Sequence, residues 1–186
     1  MKQVLDTILS ELHKTKKSPF LIAIDGNCGS GKTTLGNFLA KELNASLFHM
    51  DNFFLQPHQR TEERLSEPGG NVDYERFQEE VLNHLADACG VTFRPFNCHE
   101  WKLADIAVTV PYNTIVIVEG SYSHHPYFGD FYDVKLFLEI SPEEQKKRIL
   151  ARDGEAMWPM FRDKWIPMEN QYFEAFKIKE NSVVFY

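Results

Sequence analysis

The chain has 186 residues, a formal net charge of -7 and a hydrophobic fraction of 43%, with 15 Phe and 3 Trp. That is the length of one domain with ample apolar material for a core. Its acidity leaves no general basic field for nucleic acid or for an anionic membrane surface. An acidic protein that handles phosphate must gather its lysines and arginines locally. Cys28, Cys89 and Cys98 show no C-x-x-C spacing and form an odd set, which suits a reducing compartment. The opening MKQVLDTILSELHKTKK is too interrupted by charge for a signal peptide, and no apolar run approaches the roughly 20 residues that cross a bilayer. The expectation is a soluble, cytoplasmic protein with neither nucleic acid nor membrane as a partner, its self-association left open.

In chain order, Val4, Leu5, Ile8, Leu9 and Leu12 repeat at helical spacing, with Lys14, Lys16 and Lys17 closing the segment as a basic helix end. Phe20 to Asp25 is a continuous apolar run between Pro19 and Gly26, the pattern of a buried parallel strand. A glycine-rich turn follows, then a helix over TTLGNFLAKELN and a short strand at Leu47 to Met50. The polar stretch from Asn52 to Asn71 predicts a loop or short irregular helix, and Tyr74 to Ala88 a helix carrying Phe77, Val81, Leu82 and Leu85 on one face. Val91 to Phe96 and Ile106 to Val110 predict a hairpin. Thr114 to Gly120 and Val134 to Ile140 predict two further buried strands, and Ser141-Pro142-Glu143-Glu144 a capped helix start. Ser182 to Tyr186 predicts a last strand. The whole is one α/β domain over 1–186, a three-layer α/β/α arrangement with helices on both faces of a mostly parallel central sheet. Functional groups should then collect at the carboxyl ends of the strands.

Gly26-Asn27-Cys28-Gly29-Ser30-Gly31-Lys32-Thr33 matches G-x-x-x-x-G-K-[ST] in full, between a buried strand and a helix. Glycines let backbone N–H groups converge on phosphate oxygens, Lys32 reaches the β- and γ-phosphates, and Thr33 offers its hydroxyl to Mg²⁺. The helix N-terminus behind, including Thr34, adds partial positive charge. This loop points to a nucleoside triphosphate, without separating kinase from GTPase or motor. Asp51 follows the second strand and faces the same crevice, where a carboxylate can take a proton from a substrate hydroxyl or orient it; the alternative is a turn or helix cap. Glu119 ends a strand of β-branched residues, where it can hold Mg²⁺ directly or through water. Arg148, Arg152 and Arg162 bracket DGEAMWPMF, a segment poor in aliphatics that suits a lid over about 153–162. Their alternative is a solvated helix face.

Other features have plainer readings. His124-His125 lacks a third ligand at metal spacing and fits a loop. Trp158, Phe161, Trp165, Tyr172, Phe173 and Phe176 have near-helical spacing, which assigns most of them to core. Cys28 lies beside a helix N-terminus, which would lower its pKa.

These segments, taken together, resemble the uridine kinase family, the branch of P-loop kinases that includes phosphoribulokinase and bacterial pantothenate kinase. The likeness rests on GNCGSGKTT, HMDNFFL, GGNVDYERF, RPFNCH, VEGSY and RILARDG, which stand in the family's order from Phe20 to about Phe176. It implies an ATP- and Mg²⁺-dependent kinase acting on a hydroxyl of a small molecule, such as uridine or cytidine. Asp51 would be the catalytic aspartate and Asp73 the acid that holds a ribose. Residues 91–110 would be the substrate hairpin, with Phe96 and His99 near the base. Glu119 would be the metal-side carboxylate, and Arg148, Arg152 and Arg162 the lid arginines, Arg148 toward the substrate. The hairpin departs from the family's Pro-x-Tyr-Asp-Phe pattern, because Pro95 is followed by Phe96, Asn97 and Cys98. The same chemistry on a phosphorylated sugar or a pantothenate-like acceptor is the alternative within enzymes. A nucleotide-binding regulatory module without transfer activity is the alternative outside them. No Asn-Lys-x-Asp guanine motif occurs.

Overall fold

A computed structural model describes residues 1–186. Helix α1 (Lys2–Leu12) leads to β1 (Phe20–Gly26), and the phosphate loop to α2 (Lys32–Leu43). Then come β2 (Ser46–His49), two 3-10 turns, α3 (Glu62–Ser66) and α4 (Tyr74–Glu80). The excursion holds β3 (Val91–Phe93), β4 (Phe96–Asn97), β5 (Lys102–Leu103) and β6 (Val108–Val110). Strand β7 (Ile115–Glu119), β8 (Val134–Leu138), α5 (Pro142–Asp153), α6 (Trp158–Met160), α7 (Ile166–Phe176) and β9 (Val183–Phe185) complete the chain. No helix is long and apolar enough to cross a membrane.

The central sheet has the order β2-β7-β1-β8-β9 and every pair in it is parallel. Strand β1 lies in the middle and is buried on both faces, hence its unbroken apolar run. Its side chains alternate between two cores. Ile22 and Ile24 pack with Val4, Ile8, Leu35 and Leu39 beneath α1 and α2. Leu21 and Ala23 face the larger core with Phe77, Phe137, Tyr172 and Phe173. Register brings Ile24 opposite Glu119 and Glu119 opposite His49, so the carboxyl ends of β1, β7 and β2 finish level. Gly26 closes β1 at φ 139°, and a Cβ there would come within 2.1 Å of the Leu138 carbonyl oxygen, so only glycine lets the loop turn over β8.

Four details differ from the pattern in the sequence. Lys14, Lys16 and Lys17 lie past the end of α1, and Lys17 instead reaches Asp133 at 2.9 Å. The helix expected over Tyr74 to Ala88 breaks at Val81 into α4 and a 3-10 turn, with Ala88 left-handed at φ 51°. The hairpin consists of two short ladders, β3 with β6 and β4 with β5, and leaves Ile106 outside them at 80% exposure. The lid expected over 153–162 shrinks to a turn. Gly154 ends α5, helix resumes at Trp158, and a π turn at Phe161–Trp165 carries it into α7.

Candidate active site

The phosphate loop is braced from behind so that its amides face outward. Lys32 Nζ donates to the carbonyls of Gly26 at 2.7 Å and Asn27 at 3.0 Å. From α5, Gln145 Nε2 donates to the Cys28 carbonyl at 3.0 Å, and Arg148 to those of Gly29 and Ser30 at 3.4 and 3.2 Å. With the carbonyls so engaged, the amides of Gly29, Gly31, Lys32, Thr33 and Thr34 have no partner in the protein. The Ser30 hydroxyl has none either. Converging unpartnered N–H groups at a helix N-terminus, with a lysine beside them, make a cradle for an anion.

Around the cradle opens a cleft of about 880 Å³. Thr33 and Glu119 meet on its floor, with Thr33 Oγ1 3.3 Å from Glu119 Oε2. His49 Nδ1 lies 2.5 Å from the other oxygen of Glu119, and this contact, ahead of the opposing effect of burial, raises the pKa of His49. A hydroxyl and a carboxylate are hard oxygen donors of the kind Mg²⁺ takes alongside phosphate oxygens and water, so the residues present fit that ion. Asp51 opens onto the same floor. Enclosure by the cleft walls, then the charges of Glu119 and Glu169, raise its pKa.

One wall belongs to Phe54, Arg60, Asn71 and the hairpin residues Phe96, Cys98, His99 and Trp101. The other is formed by Arg148, Arg152, Met157, Phe161 and Trp165. The structure therefore brings Lys32, Thr33, Thr34, Asp51, Phe96, His99, Glu119, Arg148 and Arg152 into one cleft with Cys28, Gly29 and Gly31 of the loop, whose Gly26, Asn27 and Ser30 are not part of that lining. It leaves two expected residues out. Asp73 caps α4, its carboxylate accepting from the Arg76 amide at 3.0 Å and from Gln59 Nε2 at 2.7 Å, and it faces a separate surface depression. Arg162 points to solvent and is bonded twice to its neighbour Asp163, at 2.6 and 2.7 Å.

Further corrections concern chemistry. Cys28 is pushed up to about 12 rather than down, first by burial and then by the Glu169 charge, which together outweigh the helix end. His124 and His125 stand in the turn after β7, as expected of a loop, and both are buried. His125 stacks on Tyr74 with centroids 4.2 Å apart, and burial pulls its pKa down to about 4. Among the aromatics, Tyr172 and Phe173 are core as expected, whereas Phe161 and Trp165 pack edge-to-face at 4.6 Å on the cleft wall.

Three residues of the site have no signal in the sequence motifs. Asp25, fully buried, accepts from the amides of Gly26 and His124 and from the Tyr172 hydroxyl. Burial lifts its pKa to about 6 against the pull of Lys32. Glu169 of α7 accepts from the Cys28 amide at 2.9 Å and from the Ser121 hydroxyl, and burial raises its pKa too. Helix α7 therefore fastens onto the phosphate loop through Glu169 and onto its root through Tyr172, one turn apart. The third is Arg60. An acid within an amphipathic helix and an arginine within a polar loop look like solvated residues until the fold is known.

The sequence profile of the AAA domain family matches residues 22–164, more than half of the chain. No curated protein matches the sequence. Among solved structures, a possible uridine kinase from Bacillus stearothermophilus is 20% identical with a TM-score of 0.72, over 100% of this chain and 98% of that one. A protein described as a possible fructose transport system kinase, from Silicibacter sp. TM1040, is 22% identical with a TM-score of 0.67, over 99% and 98%. The D-glycerate 3-kinase from Cryptococcus neoformans is 15% identical with a TM-score of 0.61, over 92% and 87%. At these identities the likeness is one of fold, and that fold is the one shared by P-loop kinases.

Proposed function

This chain belongs to the AAA domain family and has a P-loop kinase fold, and from that premise we propose that it transfers the γ-phosphoryl group of ATP to a hydroxyl of a small molecule. The observation that carries the reading is the placement of Asp51 in the same cleft as the free amide cradle, with Glu119 and Thr33 on its floor.

In this reading the cradle and Lys32 hold the β- and γ-phosphates, and Lys32 gives up its carbonyl contacts to reach them. Thr33 and Glu119 hold Mg²⁺, which when bound offsets the charge of the phosphate oxygens. Asp51 accepts the proton of the acceptor hydroxyl. Its raised pKa, set first by burial, makes it a better base than an ordinary aspartate. Arg148 and Arg152 supply positive charge from the opposite wall, where the γ-phosphoryl group would pass. Catalysis of this kind consists of positioning and electrostatics, which a braced loop between two fixed walls provides. Asp73 and Arg162 take no part. A nucleoside such as uridine and other small hydroxyl compounds are all candidate acceptors for this chemistry.

The test is ADP release measured over a panel of hydroxyl acceptors, with Lys32→Ala and Asp51→Asn as controls. Both variants are expected to lose at least about 100-fold in kcat/KM, with ATP binding retained in Asp51→Asn. Activity that survives Asp51→Asn would remove that residue from its role. ATP binding without acceptor-dependent ADP release would make the chain a nucleotide-binding regulatory module.

A further inference from the structure

The acceptor side of the cleft holds an arginine with nothing to neutralise it. Of the seven arginines, Arg64, Arg76, Arg148, Arg152 and Arg162 are each paired with a carboxylate. Arg94 projects to solvent beside the hairpin. Arg60 alone faces the cleft without a carboxylate or any other side-chain hydrogen-bond partner. Its guanidinium carbon lies over the Trp101 ring, 5.1 Å from the centroid, and its N–H groups make no hydrogen bond within the protein. Partial burial lowers its pKa, and no carboxylate stands against that effect. Cys98 lines the same cleft as Arg60 and Asp51. Nearby, Asn71 is 7% exposed and lines the cleft with its Oδ1 unpartnered.

Withdrawing a guanidinium from water without a counter-charge is unfavourable, and closing a substrate over it is more so. A neutral acceptor would leave that cost standing. A carboxylate or phosphate would remove it, with two parallel hydrogen bonds from the guanidinium fork. Resting on the kinase reading above, we propose that the phosphoryl acceptor is an anionic hydroxy compound, a hydroxycarboxylate or a phosphorylated sugar, whose charged group Arg60 holds while its hydroxyl meets Asp51. Asn71 then finds its partner in the polar body of that acceptor.

The experiment sets charged acceptors beside their neutral counterparts: D-glycerate against glycerol, ribose 5-phosphate against ribose, and uridine as the nucleoside. Each is assayed for ADP release with the unaltered protein, Arg60→Ala and Arg60→Lys. The expected result is turnover of one anionic class with its neutral partner inert. For that acceptor KM should rise about 10- to 100-fold in Arg60→Ala with a smaller change in kcat, recover in part in Arg60→Lys, and leave the Kd for ATP unchanged. Which pair responds tells carboxylate from phosphate. Turnover of uridine or a neutral polyol with a KM indifferent to Arg60→Ala overturns the anionic acceptor and leaves the kinase standing. If no compound is phosphorylated, calorimetric binding of D-glycerate and ribose 5-phosphate to protein loaded with a non-hydrolysable ATP analogue decides. Binding that Arg60→Ala abolishes keeps the anion site and overturns the kinase, whereas no binding of either overturns the proposal.

Discussion

Asp25 is the residue on which the phosphate loop is hung. Its two oxygens take the amides of Gly26 and His124 and the hydroxyl of Tyr172, and Lys32 is the nearby cation. Even so, complete burial raises its pKa from 3.8 to about 6. An acid shifted upward holds its proton longer in the folded chain than in the unfolded one. Between about pH 4 and pH 6 the native state therefore binds more protons, and stability falls as pH rises through that window, then levels off above it. The contribution is roughly 3 kcal/mol across the window. Asp25→Asn should flatten this part of the profile, measured as the difference in unfolding free energy between variant and parent at pH 4, 5, 6 and 7 in urea. A parallel pair of profiles would mean that Asp25 titrates normally. The variant also places an NH₂ group toward donors, so a lower stability at every pH is expected along with the flattening. Nothing in FLIAID marks this aspartate as buried and fully bonded rather than as the first polar residue of a turn. Lys32, Thr33 and Glu119, by contrast, are legible from the sequence, because motif spacing and the end of a β-branched run fix where such residues must stand. Arg60 and Glu169 are not, since each acquires its surroundings from a segment more than 30 residues away in the chain.

Elements legible in the sequence are those whose period is enforced by burial on known sides. Strand β1 and strand β7 read as unbroken apolar runs because both faces are covered, and α5 announces itself through Ser141, Pro142 and two glutamates. The region after α5 is harder. Helix α6, the π turn and α7 carry aromatics on more than one face, since one face packs on the core through Tyr172 and Phe173 while another lines the cleft with Phe161 and Trp165. A single apolar stripe cannot represent two destinations. Packing between α2 and β7 is a sharper case, because it sets the position of the Glu119 carboxylate. A Cβ on Gly36 would stand 3.0 Å from Glu119 Cγ and 3.3 Å from its Cβ. Gly36→Ala improves helix propensity by up to about 1 kcal/mol, yet it requires Glu119 to give by a few tenths of an ångström, which disturbs its contacts with Thr33 and His49. Misplacement by about 1 Å at a reacting centre costs on the order of 100-fold, so a shift of this size should lower kcat about tenfold and raise the Mg²⁺ concentration needed for half-maximal rate. The melting temperature should stay the same or rise. A fall in both activity and melting temperature would locate the damage in the helix rather than at Glu119.

On the scale of the whole molecule, the expectation of local positive charge in an acidic protein finds its place in one cleft. Lys32, Arg60, Arg148 and Arg152 converge there from the phosphate loop, the segment after β2 and α5. Asp51, Glu119 and Glu169 converge as well, so the unliganded cleft holds opposed charges at close quarters, and burial shifts Asp51 and Glu169 upward. A triphosphate with its cation would relieve both sides, satisfying the free amides and the cations while Mg²⁺ meets the acids. Because the lining is drawn from the chain between Cys28 and Glu169, that relief should stabilise the domain as one unit and not merely order a loop. Saturation at about 1,000 times Kd corresponds to about 4 kcal/mol, which for a domain of this size is a rise of about 8 to 16 °C in melting temperature. The rise should need ATP and Mg²⁺ together, because ATP alone adds four negative charges to a floor already lined by acids. Lys32→Ala should abolish most of it, and Arg60→Ala should leave it intact, since the Arg60 guanidinium lies toward the acceptor. Differential scanning calorimetry with ATP, Mg²⁺ and both distinguishes these outcomes. A full shift from ATP without the metal would show that Glu119 and Thr33 do not hold a cation beside the phosphates, and the floor of the cleft would then have to be assigned to the acceptor alone.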